Sequence, residues 1–128
     1  MNAMNTPIRT LIVEDEIIIA LDLEMTMKRH SFNVIESVCT GKEAIECATR
    51  LQPDLIMMDI KLADNISGIE AAKEIMTRQN CRIVFVTANS DPETKKKAAG
   101  CNPFAYYMKP VSEMMVGDIF RRIMESTP

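Results

Sequence analysis

The sequence predicts an α/β domain with a doubly wound, five-stranded parallel sheet and five helices. Two observations lead to this prediction. Short apolar runs alternate with amphipathic segments along the 128 residues, which is the pattern of successive strand–helix–strand units with right-handed crossovers. The runs at 55–58 and 83–86 are apolar throughout rather than alternating, as expected of strands that are buried on both faces.

The composition excludes several classes of function. The net charge is −3, so no basic surface favours direct binding to nucleic acid. No apolar run approaches the roughly 20 residues that span a bilayer, and the N-terminus lacks a signal-peptide pattern. Cys39, Cys47, Cys81 and Cys101 form no C-x-x-C pair and His30 is the single histidine, so no zinc, redox or triad pattern is present. We therefore expect a cytoplasmic protein that binds neither membrane nor nucleic acid.

The first half of the chain contains three of the predicted strands. Residues 1–7 are expected to be a disordered N-terminal segment, and residues 8–128 to form the folded domain. The helix predicted at 16–29 carries too many apolar residues for one stripe, so its periodicity does not identify a buried face. The eleven methionines of the chain are interpreted as packing residues. The other elements predicted here are strands at 10–13, 34–38 and 55–58 and a helix at 43–50.

The second half continues the alternation. Asp91 and Pro92 are typical of a helix start, because the aspartate can cap the helix and proline suits its first position. The last helix has a one-sided apolar stripe, which predicts that it packs on the sheet. The predicted elements are a turn at 65–68, a helix from Ile69 to Met76, a strand at 83–86, a helix ending at Gly100, a strand at 104–108 and a helix with its stripe at 116–124.

Polar residues stand where the predicted strands end. Glu14 and Asp15 follow the first strand, Asp59 ends the third, Thr87 ends the fourth and Lys109 ends the fifth. In an open parallel sheet, ligands bind beyond the carboxyl ends of the strands. These five side chains, from distant parts of the sequence, are therefore predicted to form one site.

The residue types indicate the chemistry of that site. Clustered acids raise each other's pKa unless a cation lies among them, and oxygen ligands without histidine or thiolate favour Mg²⁺. The Lys109 ammonium and the Thr87 hydroxyl suit the oxygens of a phosphoryl group. Asp59 would then be the nucleophile that forms an acyl phosphate.

The chain resembles the response regulator receiver domains of two-component signalling over residues 8–125. Each matching stretch is weakly specific by itself, but together they stand in the family's order and at the expected strand ends. The stretches are Leu11-Ile12-Val13-Glu14-Asp15-Glu16, Ile56-Met57-Met58-Asp59-Ile60, Ser67-Gly68-Ile69-Glu70, Val86-Thr87-Ala88 and Tyr106-Tyr107-Met108-Lys109-Pro110.

The resemblance implies a flavodoxin-like fold with strand order 2-1-3-4-5 and assigns roles to individual residues. Asp59 would accept the phosphoryl group, Thr87 and the Ala88 amide would bind its oxygens, and Lys109 would bridge to it. The Lys109–Pro110 peptide bond would be cis. The implied Mg²⁺ ligands are Asp15 directly, Glu14 through water, Asp59, and the backbone carbonyl of Lys61.

The same resemblance implies a signalling role and no enzymatic turnover of an external substrate. A sensor histidine kinase or histidine phosphotransfer domain would donate the phosphoryl group near the first helix, where Ile17 and Ile18 are candidate contacts. Thr87 would move on phosphorylation and Tyr106 would act as the switch residue. The surface of the fourth helix, fifth strand and last helix would then meet a downstream partner, an output domain or a second copy of the domain.

Three features depart from the commonest receiver pattern. Asn102-Pro103-Phe104-Ala105 lengthens the approach to the fifth strand, and Val111 replaces the frequent phenylalanine after the proline. Lys61 places a basic side chain beside the acceptor, where it can change how readily water attacks the acyl phosphate. None of the three removes a group that the chemistry needs.

Three other functions are alternatives to that of a phosphorylated receiver, and each needs different sequence features. A phosphohydrolase of the haloacid dehalogenase type needs a second Asp two residues after the nucleophile, where this chain has Lys61. A flavodoxin-like cofactor protein needs a phosphate-binding loop after the first strand, but the chain has only four glycines and none there. A receiver that acts only by docking needs none of the polar groups retained here. The domain itself can be a stand-alone receiver or part of a longer regulator or hybrid kinase.

Overall fold

Five strands and five helices alternate along the chain in the computed structural model, which describes residues 7–88 and 91–126. The strands are β1 (Ile8–Val13), β2 (Phe32–Val38), β3 (Leu55–Asp59), β4 (Arg82–Thr87) and β5 (Ala105–Met108). The helices are α1 (Ile17–Arg29), α2 (Gly41–Leu51), α3 (Gly68–Arg78), α4 (Pro92–Ala99) and α5 (Glu113–Ser126).

The strands form one parallel sheet in the order β2-β1-β3-β4-β5, which confirms the predicted fold and strand order. The register pairs Val13 with Met58, Asp59 with Val86, and Thr87 with Met108. The last residues of neighbouring strands therefore lie side by side. This register brings the polar residues that follow the strands to a single edge of the sheet.

Each face of the sheet supports its own hydrophobic layer. One layer joins β-strand side chains to α2, α3 and Ala98 of α4, and the other joins them to α1 and α5. All five residues of β3 are buried, which explains its continuous apolar sequence. Tyr106 and Tyr107 pack against opposite layers, because successive side chains of a strand point to opposite faces.

The structure resolves which face of α1 is buried. Ala20, Leu23, Thr26 and Met27 are buried, whereas Ile17 and Ile18 of the first turn are exposed. The interpretation of the methionines as packing residues is therefore only partly right. Met27, Met57 and Met58 are in the core, but Met25, Met108 and Met114 are exposed by 60%, 42% and 85%.

Local capping explains where several elements begin. The Thr40 hydroxyl accepts the Glu43 N–H, so α2 begins two residues before its predicted start. Ser67 and Glu70 form a capping box at α3, and Asp91 caps α4 ahead of Pro92, as predicted. The first and second strands each begin two residues earlier than predicted, at Ile8 and Phe32.

Three further predictions concern the N-terminal segment, the cysteines and membrane-spanning helices. The disorder predicted for residues 1–7 concerns, except for Pro7, positions outside the described residues. Burial raises the pKa of the Cys81 thiol to about 11, and all four cysteines are free. Within the described ranges, no helix is both long and apolar enough to cross a membrane.

A close backbone contact fixes the loop that follows β3. The Gly68 N–H donates to the Ile60 carbonyl at 2.7 Å, so the two ends of loop 60–67 are joined. A Cβ atom at Gly68 would lie 2.0 Å from the Asp59 carbonyl oxygen and 2.9 Å from the Ile60 Cα. Only glycine allows α3 to begin this close to the end of β3.

Replacing Gly68 with alanine is expected to lower the free energy of unfolding by about 3 kcal/mol, at the upper end of typical overpacking costs. The loss arises because the new Cβ atom meets backbone rather than a movable side chain. Urea denaturation followed by circular dichroism measures it. Gly100→Ala is the matched control, since its Cβ atom would meet the Lys97 carbonyl oxygen at 3.3 Å. Equal loss in both variants would contradict the steric explanation.

Candidate functional site

Three acidic side chains meet at the carboxyl edge of the sheet. Glu14, Asp15 and Asp59 each place one carboxylate oxygen within 4.8 Å of the others. Glu14 follows β1 and Asp59 is the last residue of β3, and both are buried, whereas Asp15 is exposed. Glu14 is held at both ends, since its N–H donates to the Val38 carbonyl and its carboxylate accepts the Glu16 N–H.

The Lys109 ammonium lies between the two buried carboxylates. Its Nζ atom is 2.6 Å from Oε1 of Glu14 and 3.0 Å from Oδ2 of Asp59. Burial of the ammonium opposes its charge, but the hydrogen bonds to Glu14 and Asp59 outweigh burial and raise the pKa of Lys109. The lysine therefore remains a cation at neutral pH, and Asp59 keeps a charge-assisted hydrogen bond.

The cluster has more negative charge than Lys109 can balance, since three carboxylates face one ammonium. Although Asp15 is exposed, partial loss of solvent beside the cluster raises the pKa of its carboxyl, and a hydrogen bond and charge repulsion from Glu14 raise it further. A cation among these oxygens would relieve that repulsion. The set contains only carboxylate oxygens, which fits a hard divalent cation such as Mg²⁺ rather than zinc.

The groups predicted to bind phosphoryl oxygens lie at the same edge. Thr87 is buried at the end of β4, and its carbonyl accepts the Lys109 N–H at 2.9 Å. Ala88 follows it and is exposed. Asp59 pairs with Val86, so Thr87 is one residue further along the neighbouring strand. The structure thus brings Asp59, Thr87 and Lys109 together from three strand ends.

Two further predicted residues lie on β5 and in the loop after β3. Tyr106 is half-buried in β5, pairs with Phe85 and packs against the layer formed with α2, α3 and α4. Lys61 is in the loop after β3, and its side chain is exposed. The peptide bond between Lys109 and Pro110 is cis, as the resemblance implied.

Sequence reasoning did not identify a cavity that opens beside the acidic cluster. The cavity has a volume of about 320 Å³ and lies between α1 and the segment from Lys109 to Val111. Its apolar wall includes Ile18, Met57 and Val86. Val111, at which the sequence departs from the commonest receiver pattern, is one of its lining residues.

Asp64 is a residue at this edge whose role the sequence did not indicate. Its side chain accepts the N–H groups of Gly41 and Lys42 at 2.9 and 3.0 Å, although these residues are more than twenty positions away. An aspartate in a loop has many local roles, so nothing in the pattern of the sequence indicated this pairing. The contact joins the loop after Asp59 to the start of α2.

Comparison with known proteins relates this geometry to a family. The model of the response regulator receiver domain matches residues 10–120. The transcriptional regulatory protein PdtaR of Mycobacterium tuberculosis is 36% identical over 106 residues, which are 83% of this chain and 51% of that protein. The phyllosphere-induced regulator PhyR of Methylorubrum extorquens is 39% identical over 79 residues, 61% of this chain and 30% of PhyR.

A solved structure agrees over nearly the whole chain. The signal receiver domain of a modulated diguanylate cyclase from Desulfovibrio desulfuricans G20 has a TM-score of 0.84 and 32% identity, with 94% of each chain covered. The present chain spans about half the length of the M. tuberculosis relative. The family match over most of the chain, the strand order and the acidic edge lead to one conclusion: the chain belongs to the response regulator receiver domain family.

Proposed function

We propose that the domain accepts a phosphoryl group on the carboxylate of Asp59 in a Mg²⁺-dependent reaction, and that a sensor histidine kinase or histidine phosphotransfer domain donates it. The observation that carries this proposal is the placement of Asp59. Asp59 is the last residue of β3, and its carboxylate accepts a hydrogen bond from Lys109 at 3.0 Å. It is one of three clustered acids. An ordinary structural ion pair does not need this surplus of negative charge.

In the transfer step, an oxygen of Asp59 attacks the phosphorus atom of a phosphohistidine. The phosphorus–nitrogen bond breaks, its electron pair stays on the imidazole, and the imidazole takes up a proton from solvent. The product is an acyl phosphate on Asp59. Lys109 stays within hydrogen-bond reach of the new oxygens, and the Thr87 hydroxyl and Ala88 amide donate to them.

The residues that would hold Mg²⁺ are Asp15, Asp59, the Lys61 carbonyl and, through water, Glu14. When bound, the cation neutralises charge on the phosphoryl oxygens as they approach the carboxylates. The clustering of the three carboxylates supports this assignment, because crowded acids favour a neutralising partner. Hydrolysis of the acyl phosphate resets the domain, so the chemistry concerns its own carboxylate and not an external substrate.

The switch would run from Thr87 to Tyr106. Thr87 would move toward the new phosphoryl oxygens, and the half-buried ring of Tyr106 would take up the space that it leaves. Tyr106 lies next to Phe85 on β4, two residues before Thr87, so the two movements are close in the sheet. The surface formed by α4, β5 and α5 would then favour a downstream partner, an output domain or a homodimer.

The donor would dock on α1. An apolar stripe on this helix is exposed to solvent. It consists of Ile17, Ile18, Leu21 and Met25, whose exposed fractions are 75%, 78%, 56% and 60%. Clustered exposed apolar side chains mark interaction surfaces more often than isolated ones do. Ile18 also lines the cavity beside Asp59, so a partner seated on this stripe would lie next to the acceptor.

Asp59→Asn is expected to abolish phosphorylation by acetyl phosphate in the presence of Mg²⁺, because an amide cannot form the acyl phosphate. Intact-protein mass spectrometry measures the fraction of chains that gain one phosphoryl group. Asp118→Asn, which changes an aspartate on α5, is the matched control and should be labelled like the parent chain. Equal labelling of the Asp59 variant would refute the proposed acceptor.

Replacing Ile17 and Ile18 with alanine is expected to slow transfer from a histidine donor by about tenfold, the effect of losing ~1.4 kcal/mol at an interface. The reason is the loss of apolar contact area on α1. Rapid-quench transfer from a phosphorylated donor domain measures the rate. Labelling by acetyl phosphate is the internal control, since a small donor needs no docking surface. Equal slowing with both donors would show that the substitutions damage the acceptor site instead.

A further inference from the structure

Asp64 connects two loops that leave the functional edge of the sheet. Its Oδ1 atom accepts the Gly41 N–H at 2.9 Å and its Oδ2 atom accepts the Lys42 N–H at 3.0 Å. The hydrogen bond from Gly41 is the main reason that the pKa of Asp64 is lowered. The carboxylate is therefore ionised at neutral pH, and it faces the positive end of the α2 dipole.

The contact caps the first turn of α2 from a distant loop, in addition to the local cap. The hydroxyl of Thr40 accepts the Glu43 N–H in the usual N-cap geometry. Asp64 comes instead from loop 60–67, between β3 and α3. The junction between β2 and α2 is also packed directly on this loop, since a Cβ atom at Gly41 would lie 2.6 Å from the Ile66 carbonyl oxygen.

The contact completes a connection between the loop after β1, which carries Glu14 and Asp15, and the loop after β3, which follows Asp59. The Glu14 N–H donates to the Val38 carbonyl at 2.9 Å, which ties the loop carrying Glu14 and Asp15 to the end of β2. Three residues later, the start of α2 is tied to Asp64. The loop carrying Asp64 begins directly after Asp59 and contains Lys61. Besides the direct pairing of β1 with β3, the loops that follow these two strands are thus also connected through the β2–α2 junction.

We infer that Asp64 is a positioning residue for the cation of the acidic cluster, and that it makes the site selective for Mg²⁺ over Ca²⁺. The inference rests on the proposed function, in which the Lys61 carbonyl is a ligand. Mg²⁺ requires near-octahedral geometry at about 2.0–2.1 Å, whereas Ca²⁺ accepts longer and more variable distances. Releasing loop 60–67 would give the Lys61 carbonyl more freedom to drift relative to the carboxylates of Asp15 and Asp59. That drift harms a Mg²⁺ site more than a Ca²⁺ site.

Isothermal titration calorimetry with MgCl₂ and with CaCl₂ tests the inference. Asp64→Ala should weaken Mg²⁺ binding by about tenfold, in line with other residues that orient metal ligands. It should weaken Ca²⁺ binding by less than about threefold, since the larger ion tolerates displaced ligands. Asp64→Asn loses the charge but keeps one acceptor oxygen, so we expect an intermediate loss for Mg²⁺.

Two comparisons separate positioning from other effects. Thr40→Ala removes a cap from the same helix but leaves loop 60–67 tied, so its affinities for both ions should stay within about twofold of the parent values. The removal of negative charge alone would weaken both ions equally in Asp64→Asn. Circular dichroism confirms that each variant is folded at the temperature of the titration.

The inference is overturned if Asp64→Ala binds Mg²⁺ like the parent chain, or if Mg²⁺ and Ca²⁺ affinities fall by the same factor. These results leave the proposed function intact as long as the parent chain binds Mg²⁺ and is labelled on Asp59. A parent chain that binds no Mg²⁺ would instead contradict the proposed function itself. If Asp64→Ala does not fold, Asp64→Asn and Thr40→Ala still give the decisive comparison.

Discussion

The site depends on one interaction, the Lys109 ammonium held between the carboxylates of Glu14 and Asp59. Buried charges are tolerated only when they are paired and hydrogen-bonded, so this lysine allows two acids to lie in the interior at the edge of the sheet. Its own backbone N–H is bound by the Thr87 carbonyl. The ends of β3, β4 and β5 are therefore joined at Asp59, the proposed acceptor.

The parallel sheet separates the exposed face of α1 from Tyr106. The exposed apolar stripe of α1 leads along the cavity to Asp59, whereas Tyr106 lies across the sheet in the opposite layer. A donor on α1 would therefore contact the domain away from α4 and Tyr106, whereas α5 lies in the same layer as α1. Asp59, the proposed acceptor, lies at the edge where the strands end.

The loops at this edge are restrained by backbone contacts rather than by packing alone. Gly68 lets α3 begin against the Asp59 carbonyl, and Asp64 ties the intervening loop to α2. Ligand oxygens on a backbone held in this way lose little freedom when a cation binds. Three carboxylates that face one ammonium leave a surplus of negative charge. This surplus favours the binding of a cation and disfavours closer packing of the carboxylates on one another.

The fold class and the residues that gather at the functional edge were predicted from the amino-acid sequence, and the strand order was predicted from the family resemblance. This was possible because apolar runs and polar strand ends are local patterns whose positions a parallel sheet converts into proximity. The exposed face of α1 was identified from the packed structure alone, since nearly every face of that helix carries an apolar residue. The packed structure also revealed the cavity beside Val111 and the pairing of Asp64 with α2. Such contacts join residues far apart in the chain, so their formation depends on the packed arrangement of loops and not on any local periodicity.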